Sequence, residues 1–323
     1  MPTKDRDYSI EAYRVFCMFG ICFLHASGHA CGHPTQWLAN LFYWCVPGFV
    51  LITGWFGLRL AIKKLIRLYG IAIYAVIVVQ LVRLCFGHSI DLVSAIKMFR
   101  SFWFLNAYAA LMLMSPALNF LVSNKDKSLI FPILFIAFGW SFLRSVRYVQ
   151  SFIPVSPGIE PFSCFMMMGV YIIGRWIRNG GWIEKVNLRL MVIMAVVSLP
   201  LVVMGLCSYA SPFSVALAIL GFIIFKRGNW SGIVGRWCIW VVPSLFSIYL
   251  FHSRGAFGLA LMGSAEDWLL DRNVPLAVAY IVVAMTAFLG GCVLDAPRRV
   301  FLALNKCWIN DKSKKSVSLV ART

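Results

Sequence analysis

Three residues in one apolar stretch stand out chemically: Glu11, Arg14 and His25 in SIEAYRVFCMFGICFLHASGHACGH. Arg14 and His25 are 11 residues apart. At about 100° per residue they differ by roughly 20° after three helical turns, and they lie about 16 Å apart along the axis. A neutral imidazole can take up or give a proton near neutral pH. An arginine grips phosphate oxygens in a bidentate fork. Glu11, three residues before Arg14, is close enough to pair with it and hold it. Such a face is costly against lipid, so it should point into a bundle or a wet cavity. The plainer alternative is that Arg14 snorkels to the interface and His25 bonds another helix.

The elements that must position these groups are membrane helices. The chain has 323 residues, 61% hydrophobic and only 13% charged, with a mean hydropathy of +0.81. A soluble domain carries roughly 25% charged residues, so a cytosolic enzyme, a disordered chain and an ordinary secreted domain are excluded. Ten apolar spans are expected, near 9–28, 39–58, 69–86, 102–121, 128–145, 162–178, 188–206, 211–225, 239–261 and 274–294. Backbone groups in lipid must bond within their own segment, so each span is a helix. The expected fold is an all-α, polytopic bundle of about ten transmembrane helices. Pro116, Pro132, Pro200 and Pro243 fall at or inside spans, where they end or kink a helix.

Charge sets the orientation. The net charge is +18. In a ten-span arrangement 23 of the 30 basic residues fall on the side that holds both termini, and 7 on the other. By the positive-inside rule both termini are cytoplasmic, and no nucleic acid is needed to explain the charge. The loops are too short to fold alone, so any active site is built from helices and their connections. Residues 1–300 form the transmembrane domain and 301–323 a basic cytoplasmic tail. The ten cysteines include no CxxC pair; most are small apolar packers, and a Cys31–Cys207 bridge is the one pairing open between loops. His25, His29 and His33 share helical spacing with Cys31 nearby, a pattern that suggests zinc. Gly28, Gly32 and Pro34 end the helix there, and no metal is expected.

With these residues on the page, the chain resembles the membrane-bound acyltransferase family 3. The pattern Glu11-x-x-Arg14-x10-His25 looks like that family's first-span signature. WCVPGFVLITGWFG is similar to its second-span pattern, with Thr53, Gly54 and Trp55 where Ser-Gly-Tyr is common. LRLAIKKLIRLYG resembles the basic loop that follows, FWFLNAYAALMLMSPAL the Trp-Phe-Leu segment, and LFSIYLFHSRG the late Ser-x-Tyr-Leu-x-His segment through Ser247, Tyr249, Leu250 and His252. Ser253 stands where the family often has proline. The resemblance spans residues 9 to about 300.

It implies an O-acyltransferase of the cell (inner) membrane. Such an enzyme moves an acyl group, most simply acetyl, from acyl-CoA to a hydroxyl of an envelope or exported glycan. Implied partners are the acyl-CoA (acetyl-CoA) donor, a carbohydrate or glycolipid acceptor and the lipid bilayer. His25 and Glu11 are the candidate catalytic residues. Arg14, Arg67 and Lys64 are candidates for the donor's phosphates, beside Arg59 and Lys63, although a short inner loop is basic for orientation alone. His252 is a further cavity candidate. The rival reading is a multi-pass transporter or flippase, which should show broken paired spans or repeats.

Overall fold

The computed structural model describes residues 6–28, 36–90, 92–124, 128–139, 164–205, 211–252 and 257–320. The described residues contain helices and no strand. In chain order these are α1 (Tyr8–Gly28), α2 (Gln36–Asn40), α3 (Cys45–Phe56), α4 (Ile62–Cys85), α5 (Leu92–Ser101), α6 (Trp103–Ser123) and α7 (Ile130–Leu134). There follow α8 (Cys164–Gly180), α9 (Trp182–Lys185), α10 (Leu188–Val203), α11 (Pro212–Arg227) and α12 (Ile233–Val241). The last are α13 (Leu245–His252), α14 (Phe257–Leu270) and α15 (Leu276–Val320).

Among the described residues, six stretches are long and apolar enough to cross a bilayer: Tyr8–Ser27, Trp37–Phe56, Ile62–Cys85, Trp103–Ser123, Ile233–His252 and Leu276–Asn305. The protein is therefore a multi-pass membrane protein. The segments expected at 162–178, 188–206 and 211–225 are helices of 16 or 17 residues. The one expected at 128–145 is described only to residue 139, as α7 and a π-turn. Of the apolar run expected at 239–261, residues up to His252 belong to the stretch Ile233–His252 and those from Phe257 to α14, and residues 253–256 lie outside the described residues. The basic tail continues α15 in one helix to Val320.

Local chemistry accounts for the breaks and the continuities. Pro243 sits in a single 3₁₀ turn, Val242–Ser244, between α12 and α13. Pro116 lies inside α6 without ending it. A proline there deprives the Met112 carbonyl of its usual N–H, and the Ser115 hydroxyl donates to that carbonyl at 2.8 Å. Asn187 and Ser211 cap α10 and α11 by accepting from the backbone N–H groups of Leu190 and Ser214.

Helix α1 is the axis of the bundle. It packs on α2, α3, α11, α12, α13, α14 and α15. Ile10, Tyr13, Cys17 and Ile21 form a stripe in one apolar cluster, shared with α3, α8 and α11. Val15, Met18, Cys22 and Ala26 form a second stripe in another cluster, shared with α4, α13 and α15. At about 100° per residue, Arg14 and His25 fall in the seam between these stripes. Both are half-buried on a helix whose other residues are mostly buried. On the first side, α3 and α8 touch through glycines. A β-carbon at Gly54 would run into the Tyr171 carbonyl, and one at Gly174 into the Leu51 carbonyl. Small residues at a crossing allow this close approach in membranes.

Candidate active site

The two histidines singled out in the sequence meet. His25 on α1 and His252 at the end of α13 have ring centroids 5.2 Å apart, tilted by 61°. His252 is buried, and its Nδ1 lies 2.5 Å from the Ile248 carbonyl. A carbonyl only accepts, so Nδ1 carries the proton and Nε2 is left as the acceptor in the neutral ring. The Cys22 thiol, one turn below His25, lies 3.9 Å from the same ring.

The late motif fixes where His252 stands. The Ser247 hydroxyl donates to Asp295 Oδ1 at 2.6 Å. Asp295 is fully buried and receives a two-pronged contact from Arg298, at 2.6 and 2.9 Å. Arg298 also donates to the Pro243 carbonyl at 3.3 Å, so α13 and the turn before it are tied to α15. The Tyr249 hydroxyl accepts from the Phe104 backbone N–H at 3.2 Å. Two segments that resemble family motifs, more than a hundred residues apart, are thus bonded to each other. A buried ion pair leaves a large penalty when one partner is removed, so this anchor holds α13 firmly.

The other end of the seam is cationic. Glu11 receives Arg14 Nη1 at 3.0 Å, with the carboxylate nearly buried and the arginine about 28% exposed. The Arg14 guanidinium lies 5.3 Å from the Phe56 ring centre at the end of α3. Lys64 on α4 is within electrostatic reach of Arg14 and 6.0 Å from the Tyr108 ring centre. The connection between α3 and α4 is held shut by a closed set of bonds. Leu58 N–H donates to the Tyr171 hydroxyl at 2.9 Å. That hydroxyl donates to Asn119 Oδ1 at 2.6 Å, and Asn119 Nδ2 returns to the Leu58 carbonyl at 2.8 Å. Gly57 turns the chain at φ +77°, with Arg175 of α8 packed where a β-carbon would stand. Arg178 lies 4.6 Å from the Trp55 ring centre.

This arrangement can hold an anion at one end of α1 and move a proton at the other. The comparison with known families then decides the class. A family model described as an acyltransferase domain matches residues 7–296. The chain belongs to the acyltransferase 3 family. The match covers most of the chain and includes every candidate residue named above, and it favours the transferase reading over the transporter. No curated protein and no solved structure matches the chain.

Of the candidate residues, the structure joins Glu11 to Arg14, Lys64 to the same cluster, and His252 to His25. It does not bring Glu11 to His25. The two are 14 residues apart on one helix, about 21 Å along its axis, and the Glu11 carboxylate is paired with Arg14 instead. Arg67 is exposed one turn beyond Lys64 on α4. His29, Cys31, His33 and Cys207 lie outside the described residues. Arg175, on α8, is a further basic residue near the cationic end. Its Nε is buried and makes no hydrogen bond among the described residues. Only the crossing of α3 and α8 at Gly54 and Gly174 puts it beside the α3–α4 turn.

Proposed function

We propose that this acyltransferase moves an acyl group, acetyl in the simplest case, from acyl-CoA to a hydroxyl of a cell-envelope or exported glycan. It does so in the inner membrane with both termini cytoplasmic. The observation that carries the reading is the contact of the His25 and His252 rings at one end of α1, with the Arg14 cluster at the other end of the same helix.

The anionic phosphates of the donor complement Arg14, Lys64 and Arg175, with Arg67 at the outer edge. The thioester then lies along the seam toward His25. His25 removes the proton from the acceptor hydroxyl as its oxygen attacks the thioester carbonyl. The new C–O bond forms, the C–S bond breaks, and the proton passes from His25 to the departing thiolate. His252 is a positioning residue: its Nδ1–H is committed to the Ile248 carbonyl, and its ring packs against His25.

The direct test uses purified protein, isotope-labelled acetyl-CoA and de-O-acylated envelope glycan. Alkali-labile label on the glycan is expected, and none with His25→Ala. Label that never leaves the donor in the wild type would end the reading. The topology is checked separately by a reporter fused after residue 323. Activity of that reporter only on the outer side would overturn cytoplasmic termini.

A further inference from the structure

Helix α14 carries a carboxylate that nothing so far explains. Met262, Ala265 and Leu269 are spaced at i, i+3 and i+7, and all pack into the cluster that holds Cys22, Phe23 and Ala26 around His25 and Leu250 and Phe251 beside His252. Glu266 sits in the middle of that apolar stripe. It is 0% exposed, and neither carboxylate oxygen has a hydrogen-bond partner among the described residues. The helix packs on α15, α1 and α13, the last two being the helices of the histidine pair. The helix is not one of the membrane-crossing stretches. Burial, with Asp267 beside it, pushes the Glu266 carboxyl up to about 7.

A buried, unbonded carboxylate is heavily penalised, so one that persists asks for a ligand. The ligand cannot be the phosphate end of the donor. Like charges repel, and the cations that suit phosphate stand at the far end of α1. A carboxylate accepts hydrogen bonds and suits a neutral, hydroxyl-rich molecule.

We propose that Glu266 is an acceptor-binding residue, its carboxylate taking hydrogen bonds from hydroxyls of the glycan and so setting the reacting hydroxyl against His25. This rests on the reading of the protein as a hydroxyl-acylating transferase. A carboxylate at this place takes two adjacent hydroxyls of one sugar, one on each oxygen. The α14 helix is then the acceptor side of the site, and the Arg14 cluster the donor side.

The test measures transfer from acetyl-CoA to de-O-acylated envelope glycan with purified wild type, Glu266→Gln and Glu266→Leu, together with their melting temperatures. Loss of a hydrogen bond to a charged group corresponds to about a 10–100-fold rise in KM for the glycan in Glu266→Leu. The KM for acetyl-CoA should stay within twofold. Glu266→Gln should be milder, and the melting temperature of both variants should rise, because a buried unbonded charge is gone. An unchanged glycan KM with a raised melting temperature overturns the proposal and leaves Glu266 as a packing liability. A fall in kcat with both KM values unchanged also overturns it and puts Glu266 in the proton path. If Glu266→Leu fails to fold, the isosteric Gln variant carries the same KM test. Wild type that labels no glycan sinks the underlying reading, and this inference with it; active wild type with unaltered variants sinks the inference alone.

Discussion

The two ends of α1 solve opposite problems. At the Arg14 end, charge is partly exposed, balanced by Glu11 and padded by aromatic rings. At the His25 end, the polar groups are a pair of rings and a thiol beside an apolar cluster. An ammonium or guanidinium stays charged and must keep some water or a counter-ion, so the Arg14 end is open and forgiving. An imidazole that is to take a proton must be neutral and fixed, so the His25 end is dry and anchored from behind. In the proposed function this difference separates binding from chemistry along one helix.

The largest expected effect sharpens that separation. His25→Ala should lower transfer by about 10²–10⁴-fold, while thermal stability and donor affinity stay nearly unchanged. An interhelical polar contact in a membrane contributes only about 0.6 kcal/mol, so turnover and melting temperature measured on one sample tell a base from a packing residue. Retained turnover per folded molecule would remove the chemical role of this end.

Next in size is the anchor behind it. Asp295→Ala leaves the Arg298 guanidinium without its carboxylate and should destabilise the protein by about 3–5 kcal/mol. It should also lower kcat, because Ser247 loses its partner and α13 no longer holds His252 in register. Chemical unfolding in detergent, read beside kcat, checks this. Stability lost with full kcat in the folded fraction would show that α13 keeps its place without α15.

The Arg14 end should respond in affinity alone. Arg14→Gln should raise the KM for acyl-CoA about 10-fold or more and leave kcat within a few-fold. Arg67→Gln, at an exposed position, should do less. Unchanged donor affinity in Arg14→Gln would return the cationic end to a purely topological role and break the comparison.

The smallest effect lies where the chain enters α1. Asp7 pairs with Lys226 at the end of α11. Partial burial pushes the Asp7 carboxyl up, but the Lys226 ammonium and the backbone N–H groups of Ile10 and Ser9 outweigh it and hold it below 3.8. A depressed carboxyl stabilises the fold above its unfolded value, so this contribution is present above about pH 3.8 and disappears as the pH falls through the folded value. Both partners are near 30% exposed, so Asp7→Asn should cost less than about 1 kcal/mol at neutral pH. A larger loss in thermal unfolding would mean that this surface pair governs how α1 is seated.

Much of this was legible in advance because membranes leave few options. Hydropathy had to mean helices, and an Arg and a His 11 residues apart had to share a face. The late Ser-x-Tyr-Leu-x-His run looked like one motif, yet its residues do different things. Ser247 ties α13 to α15, Tyr249 bonds the start of α6, and His252 meets His25. Glu266 was invisible for a definite reason. The apolar run around 239–261 reads as one span, so residues 262–273 read as a loop, where a glutamate is unremarkable. Only as a helix do Met262, Ala265 and Leu269 form a stripe with Glu266 inside it.

The sequence by itself determined the class of fold and the placing of Glu11, Arg14 and His25 along one axis. These follow from helical geometry and the exclusion of charge from lipid, both of which act locally along the chain. The tertiary structure alone decided which distant residues stand near each end: His252 against His25, and Lys64 near Arg14 with Arg175 beside the α3–α4 turn. Those pairings depend on how helices cross, and the crossings are set by where Gly54 and Gly174 let backbones touch and where Asp295 draws α13 onto α15.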